Sequence, residues 1–488
     1  MKVKSFSLII TLVLWQSLAA AQDLLIEQAT VINPYTLTLN KQDVLLRDDR
    51  IINVADHISP LEAVRRINGS GKFLIPGLTD SHVHLSMVPG IGIIDLTSSA
   101  KQSDLQLAFT KQAPRSYLYF GVTQVLDLVA SPESLELTLK QPLHPDVFHC
   151  GAVPTVNGYP LVFSELFSLD FFPYFVAETS AQVPAGYDPA LHSPEAAITR
   201  IKKDGGRCVK VFVENGFGDQ SHWPMPSSAL LQRIQAAAER EGLPIYAHAN
   251  AVDMQKIAID LGVDVLAHGM WNWNQYTNNP GLPEDIRYLL DQVVEQGVAF
   301  QPTTRVVGGV RDLFDRTVLD DLLMKKVVPG ELLSWYRTED AQWFREEVRH
   351  DGLDNLPDNI IRNLFERRPI SQGRRVIKYL TDKGHPLLLA SDTPGNPSYA
   401  NQPGLNSFLE LRGMQQAGVA LGAILQAATI NNARVMGVED DYGSVSSGKI
   451  ANLLLLDKNP LETVEAYNSI SQIILKGEVI ERETLRAR

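Results

Sequence analysis

The sequence predicts an α/β protein: a (β/α)8 TIM barrel with a small discontinuous β-sandwich domain formed from both termini. Three observations predict it. Between about residues 73 and 392, apolar runs of strand length alternate with amphipathic helical stretches eight times, the pattern of parallel strands joined by crossover helices. Both ends are instead short, β-branched runs broken by turn residues. No Gly-x-Gly-x-x-Gly follows a strand candidate, which sets the runner-up, an open doubly wound sheet, behind the barrel. At 488 residues the chain exceeds one ordinary core and fits one large barrel with a satellite domain.

The elements follow in chain order. Lys2 and Lys4 precede an apolar stretch from Phe6 to Trp15, and Ala19-Ala20-Ala21 comes before Gln22. A basic start, a short apolar core and small residues at the end read as a secretory signal peptide over residues 1–21. The apolar stretch is too short to span a bilayer comfortably, so the expectation is a periplasmic or secreted protein with no stable membrane insertion after cleavage. Residues 22–72 and 440–488 hold the β-rich ends and form the expected β-sandwich domain. Residues 73–439 are the expected barrel, with strands near 73–84, 121–128, 146–153, 208–214, 244–249, 263–269, 298–303 and 386–392. Ser228 to Glu241 and Ala251 to Leu261 are helix candidates between them. Two intervals are long, 130–205 and 304–385. The second carries Trp335, Tyr336 and Trp343 on charge-rich helical sequence and could form a lid over the barrel mouth.

Formal charge is −12, and it becomes −14 without residues 1–21, which carry two lysines and no acids. That argues against nucleic acid and anionic lipid as partners. The only cysteines are Cys150 and Cys208. Both fall in predicted barrel strands, and the reading is a pair of buried free thiols, although an exported protein could join them. So few cysteines suit a bacterial periplasmic enzyme better than a disulfide-stapled secreted one.

Active sites on such barrels collect at the C-terminal ends of the strands. His82 and His84 end the first strand, and an i, i+2 pair on an extended segment points to one side, where two imidazoles can reach one metal ion. Lys210 lies within Val209-Lys-Val-Phe-Val213. His248, His268 and Asp392 end the apolar runs at Pro244, Val263 and Leu387. Taken singly, His248 and His268 read equally well as capped core histidines, and Asp392 as a helix cap before Pro394. Lys210 inside an apolar strand must neutralise, pair or be modified; an ion pair and an outward orientation are its plain alternatives. Six such groups at the strand ends of one barrel point to a metal site. Arg305, after Pro302-Thr-Thr, could pair with a substrate carboxylate, and its simpler reading is a solvated loop arginine.

The chain resembles the metal-dependent amidohydrolase superfamily, in its imidazolonepropionase-like and prolidase-like branch, over nearly the whole sequence after residue 21. Asp43-Val-Leu-Leu-Arg-Asp-Asp-Arg-Ile-Ile-Asn-Val is similar to its N-terminal strands, and Pro76-Gly-Leu-Thr-Asp-Ser-His-Val-His to its first metal motif. Gly121-Val-Thr-Gln-Val-Leu-Asp-Leu resembles its second strand. Ala427-Ala-Thr-Ile-Asn-Asn-Ala-Arg-Val-Met-Gly and Gly448-Lys-Ile-Ala-Asn-Leu-Leu-Leu-Leu-Asp-Lys-Asn-Pro resemble its C-terminal signature. The resemblance implies two divalent metal ions. His82, His84 and Asp392 would hold the buried one, His248 and His268 the other, and Lys210, carboxylated by carbon dioxide, would bridge them. It implies hydrolysis of an amide or peptide-like C–N bond by a metal-bound hydroxide, with Asp392 carrying the proton to the leaving amine. Zinc suits imidazole and carboxylate ligands best; manganese and iron stay open. Prolidase-like relatives often have His-Ala-His on the fifth strand and Ile-Glu-His-Gly on the sixth, where this chain has Asn250 and Ala267. Those departures put dipeptidase activity in doubt.

Two other readings stand beside it. One is a mononuclear deaminase-like or cyclic-amide hydrolase on the same barrel, with Lys210 unmodified. The other is a binding protein that has lost its metal. The expected partner is a small amide or dipeptide-like molecule, and homo-oligomers are left open because nothing in the sequence identifies an interface.

Overall fold

The computed structural model describes residues 23–59, 64–95, 99–217 and 220–488; the expected signal peptide lies outside them. Eight strands from the two ends of the chain share one sheet. Leu24–Ile32 is its hub. It runs antiparallel to Leu39–Arg47, which pairs with Arg50–Ala55, and parallel to Arg65–Asn68 and Phe73–Pro76. Leu453–Leu456 lies antiparallel beside Phe73–Pro76 and leads through Ile470–Leu475 to Glu478–Glu481. Alternation sets the buried face: Leu24, Ile26, Val44, Leu46, Leu453 and Leu455 pack into a core of their own, separate from the main one.

The apolar run read as one strand from residue 73 is two. Phe73–Pro76 belongs to the terminal sheet and Leu78–Val83 to the central one. Gly77 makes the passage: a Cβ there would lie 1.9 Å from Thr123 Oγ1, so only glycine fits between the two layers. An unbroken apolar run gives periodicity no way to see that division.

The central strands are parallel and trace a ring. Leu78–Val83 pairs with Val122–Asp127, which pairs with Asp146–His149. The chain continues into Gly151–Ala152, beside Val209–Phe212, then Ile245–His248, Val265–Leu266 and Ala299–Phe300. Leu387 bridges Phe300 and Thr393 bridges Val83, both parallel. The segment 387–393 therefore returns the ring to its first strand, which gives a TIM-barrel-like α/β fold. Helices intervene where the sequence placed them, Ser228–Glu241 and Val252–Leu261 among them. The first is capped by Ser227, whose Oγ accepts from Leu230 N at 3.1 Å, and ends at Gly242 in the left-handed region, φ 62°.

One expectation fails. Cys150 and Cys208 are joined in a disulfide, with Cα atoms 4.4 Å apart. They precede Gly151 and Val209, which face each other in the parallel register, so neighbouring strands bring the two side chains together. Both are fully buried with Leu126, Tyr246 and Leu388; burial, which suggested thiols, holds equally for the bridge. The interval 304–385, which could form a lid over the barrel mouth, contributes no residue to the lining of the cleft. Tyr336 is buried, its hydroxyl donating to Pro89 O at 2.9 Å, and Trp343 Nε1 donates to Gly90 O at 2.7 Å. These aromatics pack against the loop that follows the first barrel strand, and none of them lines the cleft.

Candidate metal centre

The six residues singled out at strand ends, His82, His84, Lys210, His248, His268 and Asp392, line one cleft. His82 Nε2 and His84 Nε2 lie 3.2 and 2.9 Å from the same atom, Asp392 Oδ1. His248 Nδ1 and His268 Nε2 face each other at 2.9 Å. Among the described residues, His82, His268 and Asp392 form a group whose ligand atoms all lie within 4.8 Å of one another. Asp392 caps no helix. It sits at φ 52°, an uncommon backbone state for a residue with a Cβ and one that clusters at functional sites. Gly395 leaves room for its carboxylate, since a Cβ there would meet Oδ1 at 2.3 Å.

Burial first, and then electrostatic interaction with Lys210, His84 and His248, push the His82 imidazole well below its usual range. Burial and then His248, Lys210 and His82 do the same to His268. Both rings are therefore neutral at pH 7, the form that ligates metal. Burial also pushes Lys210 down to about 7, against the pull of Asp392. Its Nζ is buried and has no hydrogen-bond partner. An amine so placed is costly to leave as it is, and it is neutral often enough to react with carbon dioxide. The donor set thus fits divalent cations: neutral imidazoles, a carboxylate, and a lysine with no other occupation.

A further layer of residues, which sequence reasoning missed, holds this set. Gln301 donates through Nε2 to Ser81 O at 2.8 Å and to Ser81 Oγ at 2.9 Å. Its Oε1 is therefore left to accept from His82 Nδ1 at 3.1 Å, which turns His82 Nε2 toward Asp392. His268 Nδ1 lies 3.1 Å from Thr303 Oγ1. Glu214 Oε2 lies 3.3 Å from His248 Nε2, a carboxylate–imidazole contact that leaves Nδ1 facing the centre. Asp80 accepts from Ser391 N at 3.0 Å, from Ser407 Oγ at 2.6 Å and from His82 N at 3.3 Å, tying the strand of His82 to the segment of Asp392. Burial raises its carboxyl to about 6. Asp80 stands inside the quoted Thr-Asp-Ser-His motif, a signal that was available; Gln301 and Glu214 offered none beyond being polar groups at strand ends.

The two departures and Arg305 also find their places. Asn250 Nδ2 lies 3.2 Å from His248 Nε2, so it borders a candidate ligand and does not replace one. Ala267 packs in the ring interior with Tyr246 and Leu388. Arg305 is neither a solvated loop residue nor a cleft residue. It stands in the first turn of the helix Thr304–Asp312 and is buried, donating to Asp312 Oδ2 at 2.6 Å, Asn406 Oδ1 at 3.1 Å and Ala400 O at 3.1 Å.

A barrel-like α/β fold whose strand ends gather four imidazoles, a carboxylate and a buried lysine defines a hydrolase that works with bound metal. Residues 73–480 match the amidohydrolase family, and the chain belongs to it: it is a metal-dependent hydrolase acting on carbon–nitrogen bonds. The chain is similar to a 5'-deoxyadenosine deaminase of Methanobrevibacter smithii, 20% identical over 93% of this chain and 88% of that one. An imidazolonepropionase of Caldanaerobacter subterraneus is 23% identical over 54% of this chain and 62% of its own length. Among solved structures, a Xaa-Pro dipeptidase with methionine in its active site superimposes with a TM-score of 0.65 at 19% identity, covering 94% of this chain and all of that one. Molinate hydrolase does so with a TM-score of 0.66 at 18% identity and 96% of both chains. At such identities the structures attest the fold alone.

Proposed function

We propose that this protein is an exported amidohydrolase that cleaves an amide-type C–N bond of a small molecule at a two-metal site, with zinc the best-suited ion. One observation carries the reading: the unpartnered, buried Nζ of Lys210 shares a cleft with four imidazoles and Asp392. His82, His84 and Asp392 would hold one ion, His248 and His268 the other. The neutral Lys210 amine would add to carbon dioxide with loss of one proton, and its carbamate would bridge the pair. Divalent ions held there would acidify water and polarise a carbonyl.

The chain's own groups do the rest. Asp392 is placed to take the proton of the attacking water and to return it to the leaving nitrogen. Gln301, Thr303 and Glu214 fix the imidazoles so that no reorientation is needed during turnover. Tyr159, whose ring lies 4.5 Å from that of His248, and Phe212 line the cleft beside it and lower the polarity around these contacts. The terminal sheet, folded over its own core, is read as the β-sandwich partner of the barrel, with residues 22–72 and 440–488 as its share of the chain. The amino-terminal sequence and the disulfide both suit an oxidising compartment outside the cytoplasm.

Metal analysis of the purified protein should give two divalent ions per chain, and intact-mass measurement under native conditions should show the added mass of carbon dioxide. Lys210→Ala should lose both the second ion and amide hydrolysis. Full metal content and activity in that variant would sink the two-metal reading. A mononuclear deaminase-like enzyme is favoured instead by the tight trio of His82, His268 and Asp392. One ion per chain, with Lys210 unmodified, is its signature.

A further inference from the structure

The wall that faces the metal-ligating residues belongs to the excursion between Gly151–Ala152 and the helix Pro194–Lys203. Tyr159, Phe167, Phe171 and Phe172 come from it, and Phe212 and Met87 complete the apolar side of the cleft. These aromatics form a cluster of their own, apart from the main core, with Ala152 and Phe175 beneath them. Tyr159 anchors the cluster to the site. Its ring lies 4.5 Å from that of His248 and stacks on Trp223 at 5.7 Å and 7°. A satellite core that opens onto reactive groups is a binding wall rather than a packing device.

Charge narrows what the wall accepts. Among the described residues lining the cleft, Lys210 is the only lysine or arginine, and it belongs to the candidate metal set. Arg305, the cation that could have received a carboxylate, is occupied by Asp312 and Asn406. Residues 153–193 contain Glu165, Asp170, Glu178 and Asp188 with no lysine or arginine. Residues 213–227, which supply Phe217 and Trp223, add Glu214 and Asp219, again with none. A substrate carboxylate placed on this wall would be desolvated with no lysine or arginine to pair with it.

We infer that the substrate presents an aromatic group with no anionic substituent to the wall of Tyr159, Phe171 and Phe172, so that aryl amides, rather than dipeptides or N-acyl amino acids, are the class it takes. This rests on reading the cluster of His82, His84, Lys210, His248, His268 and Asp392 as the place of hydrolysis.

Two matched pairs test it with zinc-reconstituted full-length protein: acetanilide against 4-acetamidobenzoate, and benzamide against 4-carbamoylbenzoate. Binding is read by calorimetry and turnover by product chromatography. The uncharged member should bind and react roughly tenfold or more in preference to its twin. Phe171→Arg, at a half-buried position, gives the wall a cation and should narrow that ratio several-fold; Phe167→Arg serves if the first variant loses its native circular dichroism. Selective binding of the uncharged members without turnover would uphold the substrate class and refute amide hydrolysis. Equal or better use of the carboxylated twins, or a ratio unmoved by the arginine, would refute the substrate class and leave hydrolysis standing. No binding and no turnover of any member would overturn both.

Discussion

Breaking the Cys150–Cys208 bridge should weaken the protein without touching a ligand. The bridge closes a loop of 58 residues that holds the whole aromatic excursion and the helix Pro194–Lys203. In the chain-entropy treatment, a loop of that length restricts the unfolded state by about 14 cal/mol/K, or about 4 kcal/mol at 25 °C. Against a typical net stability of about 5–15 kcal/mol, that is a large share. Both sulfurs are fully buried, so reductant cannot reach them in the native protein and must act during unfolding. The assay compares urea unfolding of the oxidised protein with that of protein unfolded in reductant and refolded with its thiols kept free. No side chain is replaced, so no cavity is made, and the difference reports the cross-link. The reduced form should unfold at lower urea, by on the order of 1 M. Coincident midpoints would refute the entropic reasoning. Two thiols titrating in denatured, unreduced protein would show that the bridge does not form.

Three further outcomes can be measured on single variants. Arg305→Met should lower stability by about 1–3 kcal/mol, because it leaves the mostly buried Asp312 carboxylate with Arg311 alone and takes a donor from Asn406 Oδ1 and Ala400 O. Against the upward pull of burial, Arg305 and Arg311 hold that carboxyl below its usual range. An unchanged urea midpoint would return Arg305 to the surface role that its sequence context suggested. Glu410 is buried, and burial pushes it up to about 7 although Thr304 N and Arg305 N donate to it. A folded pKa above the unfolded value of 4.5 means that its contribution is fully present below about pH 4.5 and is lost as pH rises through about 7. Glu410→Gln should therefore flatten the decline in stability across that window, and identical slopes in the two proteins would refute the assignment. Gln301→Ala should weaken metal binding roughly 10- to 100-fold in chelator competition, since His82 loses the partner that orients it; unchanged affinity would remove Gln301 from the supporting layer.

The ring of strands was legible because each is a short apolar run with a polar group at its end, and Val209–Phe212 and Ile245–His248 fall where the runs do. Six candidate ligands could be found for the same reason: charge or imidazole at the end of a buried strand is conspicuous. What lay hidden depends on partners remote in sequence. Gln301 reads as an ordinary polar residue until Ser81 and His82, 220 and 219 positions away, are seen to receive it. Arg305 follows a strand end and resembles a mouth residue, yet Asn406 and Ala400 turn it inward. The bridge was misread because burial alone cannot tell two thiols from one disulfide; only the register of Gly151 against Val209 decides it.

The molecule divides its labour between strands and loop. The candidate ligands stand on strand ends locked by buried hydrogen bonds, such as those from Ser391 N and Ser407 Oγ to Asp80. The wall stands on an excursion whose only regular pieces are three short 3-10 turns. Rigid strands hold the reacting groups to the tolerance that chemistry needs, and a loop can change its side chains without disturbing them. Substitutions at Phe167 or Phe171 should then alter which substrates are used while metal content and the pH dependence of turnover stay fixed. Substitutions at Gln301 or Asp80 should do the reverse. If Phe171→Ala were to lose metal along with its substrate preference, the two layers would be mechanically one, and the loop would be part of the metal centre rather than a wall beside it.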